Sequence, residues 1–100
     1  MSEFENKVVV ITGAGGGLGK SHALEFARRG AKIVINDLGG SGDGTGASDM
    51  ADLVVDEITA SGGQAIANKA SVASMEGAQS IIDDALNAFG TVDILVNNAG

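Results

Sequence analysis

Thr12-Gly13-Ala14-Gly15-Gly16-Gly17-Leu18-Gly19 is the stretch on which the reading of this chain turns. An apolar run, Val8-Val9-Val10-Ile11, leads into it, and a segment with helical spacing follows. Strand, glycine-rich turn and helix together are what a bound pyrophosphate requires. The first glycine permits the tight turn, a middle one lets the backbone approach the phosphates, and the last lets helix and strand pack closely. The helix N-terminus then presents unpaired N–H groups and a partial positive charge to the anion. The spacing is G-x-x-x-G-x-G, set by Gly13, Gly17 and Gly19, rather than the plain G-x-G-x-x-G. Alone it would also suit a flexible loop before a helix, so its flanks carry the argument.

Working outward, Lys7 to Thr12 reads as a strand buried on both faces, as in a parallel sheet. Gly17 to Arg29 reads as a helix, with Gly19, Ala23, Phe26, Ala27 and Gly30 at helical spacing toward the sheet. Arg28 and Arg29 fall in its last turn, where cations suit the dipole, and Gly30 suits the residue after the helix. Ala31 to Asn36 is a second apolar strand, and Asp37 stands at its end, 24 positions after Gly13. That separation is near what a ribose-binding acid needs in a βαβ unit, although a turn aspartate is also favoured at a strand end.

Leu38 to Ala47 is a loop dense in glycine and longer than most strand-to-helix connections. It is either a tolerated surface insertion or a functional loop. Ser48 suits an N-cap, with Asp49 in the first turn, and Ala51, Val54, Val55 and Ile58 form one helical stripe. Ser61-Gly62-Gly63 stops that helix. Gln64 to Asn68 reads as a weaker third strand, with Ser71-Val72 beyond its carboxyl end. Ser74 suits a second N-cap, followed by Ala78, Ile81, Ile82, Ala85, Leu86 and Phe89 on one face and by Gly90 as the stop. Val92 to Val96 reads as a fourth, interior strand leading into Asn97-Asn98-Ala99-Gly100.

The order is β-α-β-α-β-α-β, which gives an α/β fold with a doubly wound parallel sheet of the Rossmann type. Right-handed crossovers place the strands in the order 3-2-1-4. The winding reverses between the first and fourth strands, and a crevice opens there at their carboxyl ends. Thr12 to Gly19 and Asn97 to Gly100 border the crevice, with Asp37 and Ser71-Val72 at the ends of the neighbouring strands.

Composition limits the remaining functions. Of 100 residues, 44% are hydrophobic and 19% charged, which suits a globular domain. A net charge of −7 argues against nucleic acid or an anionic membrane as the main partner. The absence of cysteine excludes disulfides and thiolate metal sites, and weakly favours an intracellular location. The acidic start has no apolar core of a secretory signal, and no apolar run is long enough to span a bilayer. His22, the single histidine, reads as a helix-surface or packing residue, and no metal site is expected.

Thr12-Gly13-x-x-x-Gly17-Leu18-Gly19, Asp37 and Asn97-Asn98-Ala99-Gly100 resemble the cofactor half of a short-chain dehydrogenase/reductase over essentially the whole chain. Asn36-Asp37-Leu38-Gly39-Gly40, the glycine loop, and Ala67-Asn68 leading to Ser71-Val72 look closer still to one subgroup. That subgroup is the (3R)-hydroxyacyl-CoA dehydrogenase domains of peroxisomal multifunctional enzymes of type 2 and their bacterial relatives.

The resemblance implies roles where residues match. Gly13, Gly16, Gly17, Leu18 and Gly19 would cradle the pyrophosphate. Asp37 would accept from the adenosine ribose hydroxyls. Ser71 and Val72 would border the adenine, with Ser71 standing where many family members have an aspartate. Asn97 and Asn98, with Ala99 and Gly100, would steady the fourth strand and line the cofactor near its ribose. NAD is expected over NADP, because the Asp37 carboxylate would repel a 2′-phosphate. The positions where the family's NADP users place a basic residue are Gly16 and Leu38.

The family's catalytic serine, Tyr-x-x-x-Lys pair and further asparagine lie beyond the Asn-Asn-Ala-Gly segment, and this chain contains no tyrosine. The resemblance therefore implies that residues 1–100 are the N-terminal NAD-binding part of a domain truncated at its C-terminal end, inactive alone and without catalytic residues of its own. The bare side of the fourth strand points the same way, since an exposed apolar edge invites aggregation. The longer enzyme would move a hydride between nicotinamide and a secondary alcohol or ketone, with a 3-hydroxyacyl-CoA as the expected small-molecule substrate. It would be a homo-oligomer, cytoplasmic or, for a eukaryotic multifunctional enzyme, peroxisomal. The alternative is a non-catalytic dinucleotide-binding or scaffold module complete at 100 residues. A methyltransferase or other doubly wound nucleotide binder fits less well, because Asn-Asn-Ala-Gly has no obvious role there.

Overall fold

The computed structural model describes residues 4–15, 17–37 and 50–98. Seven elements follow one another as β1 (Val8–Thr12), α1 (Gly17–Arg28), β2 (Lys32–Asn36), α2 (Met50–Ala60), β3 (Gln64–Asn68), α3 (Met75–Phe89) and β4 (Ile94–Val96). The strands form a single parallel sheet in the order β3-β2-β1-β4, as expected from the alternation of elements and right-handed crossovers. The glycine-rich loop expected over 38–47, and the cap expected at Ser48 and Asp49, lie outside the described residues.

β1 is buried at all five positions because alternate side chains feed two different cores. Val9 and Ile11, with Ile33 and Ile35 of β2, pack against Ala23 of α1 and Ala51, Val54 and Ile58 of α2. Val8, Val10 and Val34 pack on the other face against Ile81 and Ala85 of α3. Each fully buried Val or Ile contributes about 1.5–3 kcal/mol relative to exposure. A polar residue at any of these positions would remove that contribution and strand a polar group in the core. The carboxyl ends of the two central strands are thereby fixed, and these ends carry Thr12 and Asn36.

Helix ends follow local chemistry. Ser74 caps α3, its Oγ accepting from the Gly77 N–H at 2.9 Å, and Gly90 closes the helix at φ +85° while its N–H donates to Leu86 O. Two sequence expectations for α3 and β4 are corrected. The stripe facing the sheet runs through Gly77, Ile81 and Ala85, whereas Ala78 and Leu86 are exposed. Only one strip of a helix can touch a sheet, and the residues at i, i+4 and i+8 occupy it here. The fourth strand is short, begins at Ile94 rather than Val92, and forms an edge among the described residues. Asp93 makes its rung with its side chain: the Val8 N–H donates to Asp93 Oδ2 at 2.8 Å, while the Asp93 N–H donates to Val8 O at 2.9 Å. Leu95 consequently faces outward, 58% exposed.

Candidate functional site

The crevice is built at the carboxyl ends of β1, β2, β3 and β4, where the backbone leaves the sheet. Thr12 ends β1 buried, and its hydroxyl ties it to the end of β4. Oγ1 accepts from the Asn98 N–H at 3.0 Å and donates toward Asn97 Oδ1 at 3.3 Å or Val96 O at 3.4 Å. Asn98 Nδ2 donates to Gly13 O at 3.2 Å. The glycine turn and the end of β4, 85 residues apart in sequence, are therefore one joined unit.

Within the turn, two glycines are needed for different reasons. Gly17 opens α1 at φ +57°, a conformation that side chains disfavour, and a Cβ there would meet nothing within 4 Å. The space beside the first turn of α1 is open, and Leu18 beside it is 71% exposed. A ligand approaching the N–H groups of this turn meets no side chain of Gly17 or Gly19. Gly19 is the reverse case. A Cβ on it would stand 2.4 Å from Gly13 O and 2.7 Å from Asn98 Nδ2, so α1 could not lie this close to the turn with any other residue there.

Asp37, at the end of β2, turns its carboxylate onto the glycine turn, where the Gly15 N–H donates to Oδ2 at 2.8 Å. Its own N–H donates to Asn68 O at 3.0 Å. Ser71 and Val72 follow β3; Ser71 Oγ accepts from the Ala73 N–H at 3.1 Å in a tight local turn, and Val72 is exposed. This turn sits on the start of α3, where a Cβ on Gly77 would come within 1.8 Å of Ser71 O. Four segments distant in sequence are thus brought to one edge: Gly13, Gly17, Leu18 and Gly19; Asp37; Ser71 and Val72; and Asn97 and Asn98. Gly16, Leu38, Ala99 and Gly100 lie outside the described residues. His22 is exposed on α1, and among the described residues no three His, Cys, Asp or Glu side chains cluster as metal ligands would.

Sequence reasoning missed three contributors. Gly15 supplies the donor that holds Asp37. Gly77 lets the Ser71 turn approach α3. A buried amide pair, Asn36 and Asn68, links the ends of β2 and β3. Its signal was available: Val34 and Asn36 share a face of β2, so Asn36 is a polar residue in a buried register.

A broad depression of about 1110 Å³ lies at the opposite edge of the sheet, lined among others by Leu24, Arg28, Arg29, Ile58 and Gln64. Its size does not make it the site. The carboxyl ends of α1 and α2 open there, presenting carbonyls rather than N–H groups. Its arginines are engaged by Glu25, with Arg29 Nε on Glu25 Oε2 at 2.6 Å and Arg28 on Oε1. These two hydrogen bonds, Arg29's first, hold the Glu25 carboxyl below the usual carboxylate range.

Comparison with known proteins agrees with this geometry. The family model described as short chain dehydrogenase matches residues 7–100. The peroxisomal multifunctional enzyme A of Dictyostelium discoideum is 59% identical over 98 residues, covering 97% of this chain and 22% of that protein. The peroxisomal multifunctional enzyme type 2 of Drosophila melanogaster is 57% identical over 98 residues, covering 97% of this chain and 16% of that protein. The chain thus spans about a fifth or less of the length of these relatives. Among solved structures, a short chain dehydrogenase from Mycobacterium avium superposes with a TM-score of 0.89 at 48% identity, covering 100% of this chain and 35% of the other. A 7α-hydroxysteroid dehydrogenase complexed with NADH and 7-oxo glycochenodeoxycholic acid gives a TM-score of 0.86 at 42% identity, over 97% of this chain and 35% of the other.

Proposed function

The chain belongs to the short-chain dehydrogenase family, and from that premise we propose that it is the NAD-binding portion of a longer oxidoreductase acting on a secondary alcohol or ketone. The observation that carries the reading is the Asp37 carboxylate, held 2.8 Å from the Gly15 N–H at the mouth of the glycine turn. A negative acceptor at the end of β2 suits the paired hydroxyls of an adenosine ribose and opposes a 2′-phosphate. NAD is therefore the cofactor. Gly13, Gly16, Gly17, Leu18 and Gly19 cradle its pyrophosphate, supported by the open space at Gly17 and the N-terminus of α1. Asp37 and Leu38 border the ribose, and Ser71 and Val72 the adenine. Asn97, Asn98, Ala99 and Gly100 line the cofactor beyond the pyrophosphate, with Asn98 fixed to the glycine turn.

When bound, the dinucleotide supplies the hydride acceptor or donor. This chain's own residues bind and orient it. The substrate class is a 3-hydroxyacyl-CoA, supported by the likeness to multifunctional enzymes over 97% of the chain. The names of these relatives support a peroxisomal rather than a cytoplasmic location. Among the described residues no helix is long and apolar enough to cross a membrane. The intact enzyme assembles as a homo-oligomer through parts outside this chain.

Titration of NAD and NADP into the intact protein, followed by hydride transfer from a 3-hydroxyacyl-CoA, tests the reading. NAD should bind more tightly than NADP, and NADH should accumulate. Equal affinities would remove Asp37 from the site, and binding without turnover of any secondary alcohol would leave a dinucleotide-binding module instead.

A further inference from the structure

Asn36 and Asn68 are buried polar residues, 2% and 5% exposed, that the binding of a cofactor does not directly require. Their amides form a chain from α3 to the crevice. Asn36 Nδ2 donates among three acceptors, Asn68 Oδ1 and Ala70 O at 3.0 Å and Asn68 O at 3.3 Å. Asn68 Oδ1 also accepts from the Ala70 N–H at 2.9 Å. Asn68 Nδ2 donates to Asp84 Oδ2 at 2.7 Å and lies 3.3 Å from Ser80 Oγ, both on α3. The backbone of the same residues reaches the site: the Ala14 N–H donates to Asn36 O at 2.9 Å, and the Asp37 N–H to Asn68 O at 3.0 Å.

The polarity of this chain has one consistent direction. An ionised carboxylate only accepts, so Asp84 obliges Asn68 to point its NH2 toward α3 and its oxygen toward Ala70 and Asn36. That oxygen in turn fixes the Asn36 amide. A half-satisfied buried amide is costly, so the network acts as a unit. It grips the ends of β2 and β3, from which Asp37 and the Ser71-Val72 turn emerge.

We propose that Asn36, Asn68 and Asp84 are positioning residues for the adenosine half of the cofactor. They set the spacing between Asp37, on the ribose side, and the Ser71-Val72 turn, on the adenine side. The proposal rests on the assignment of Asp37 and Ser71-Val72 to the adenosine subsite. It adds that α3, through one acceptor-only carboxylate, determines how well that subsite is formed.

The test measures binding of ADP-ribose, which carries the adenosine half without nicotinamide, to the folded intact protein well below its unfolding midpoint. Asn68→Ala should weaken ADP-ribose about tenfold and Asp84→Asn about threefold, the latter by letting the Asn68 amide reverse. Repeated in an Asp37→Ala background, each loss should shrink to less than about twofold, because residues acting through one another are not additive. A lowered unfolding midpoint with unchanged ADP-ribose affinity would overturn the proposal and leave a structural role. So would losses of equal size with and without Asp37. Should Asn68→Ala not fold, Asp84→Asn alone and with Asp37→Ala decides the same question. Wild-type protein that does not bind ADP-ribose overturns the assignment of the subsite and this inference together.

Discussion

The two edges of the sheet solve different problems with similar residues. Around the depression at the amino edge, the arginines pair within one helix, Arg28 and Arg29 with Glu25 three and four residues before them. At the carboxyl edge the bonds join residues 85 or 86 apart between Thr12 or Gly13 and Asn97 or Asn98, 22 apart between Gly15 and Asp37, and 32 apart between Asn36 and Asn68. Local pairs form wherever a helix forms. Long-range pairs require loop closure, so they mark places where the whole fold has converged. Among the described residues the amino edge has one such side-chain tie, between Val8 and Asp93, and the carboxyl edge has several, so the volume of the depression does not locate where distant segments converge.

Substitutions sharpen this contrast. The largest effect should come from the tight glycines of the carboxyl edge. Gly19→Ala and Gly77→Ala each force a Cβ against backbone, which cannot swing aside, and should lower stability by about 3 kcal/mol or more in denaturant unfolding. Gly62→Ala, at the amino edge, meets no atom within 4 Å; it is strained only through its φ of +94° and should cost about 1 kcal/mol. If the two edges respond alike, the contrast fails.

Asp37→Ala comes next; it takes the acceptor from the Gly15 N–H, and its larger effect is on binding. Hydrogen bonds to a charged group contribute about 1.5–3 kcal/mol, so NAD affinity should fall about ten- to hundredfold while the preference over NADP narrows. Calorimetric titration of both cofactors reads it directly. Thr12→Val removes the hydroxyl that joins β1 to Asn97 and Asn98 and takes the acceptor from the Asn98 backbone N–H, at about 1 kcal/mol. Its signature should be a weakened NAD affinity larger than its small shift in unfolding midpoint.

Glu25→Gln should do least. The folded pKa of Glu25 is depressed, so its contribution is present above the unfolded pKa and fades as pH falls through the folded value. Both carboxyl oxygens are exposed to screening, so the unfolding midpoint at neutral pH should hardly move, and any difference from wild type should vanish in strong acid or high salt.

Much of this was legible in the sequence because it depended on local pattern. Gln64–Asn68 emerged to the residue, Ser74 and Gly90 closed α3 as their chemistry demands, and the strand order followed from alternation with right-handed crossovers. What escaped depended on register. Whether Leu86 or Gly77 faces the sheet depends on the rotation of α3 by part of a turn, which the apolar spacing of Ala78, Ile82 and Leu86 leaves ambiguous. That Asn36 meets Asn68 requires β2 and β3 to pair with Asn36 opposite Asn68, a fact of the assembled sheet. Gly15 escaped because a backbone donor is the same in every residue type, and only the position of Asp37 gives it a task. The start of β4 was misjudged because Val92 looks like strand, while the rung belongs to the Asp93 side chain.

That rung has a further consequence. The Asp93 carboxylate on the Val8 N–H works as an alignment pin, placed at the far end of β4 from the crevice. A slip of one residue would carry Asn98 about 3.3 Å along the strand direction and exchange the faces of Ile94 and Leu95. The tolerance of the crevice wall is therefore set at a distance, by an acidic side chain that no ligand at the carboxyl edge would touch.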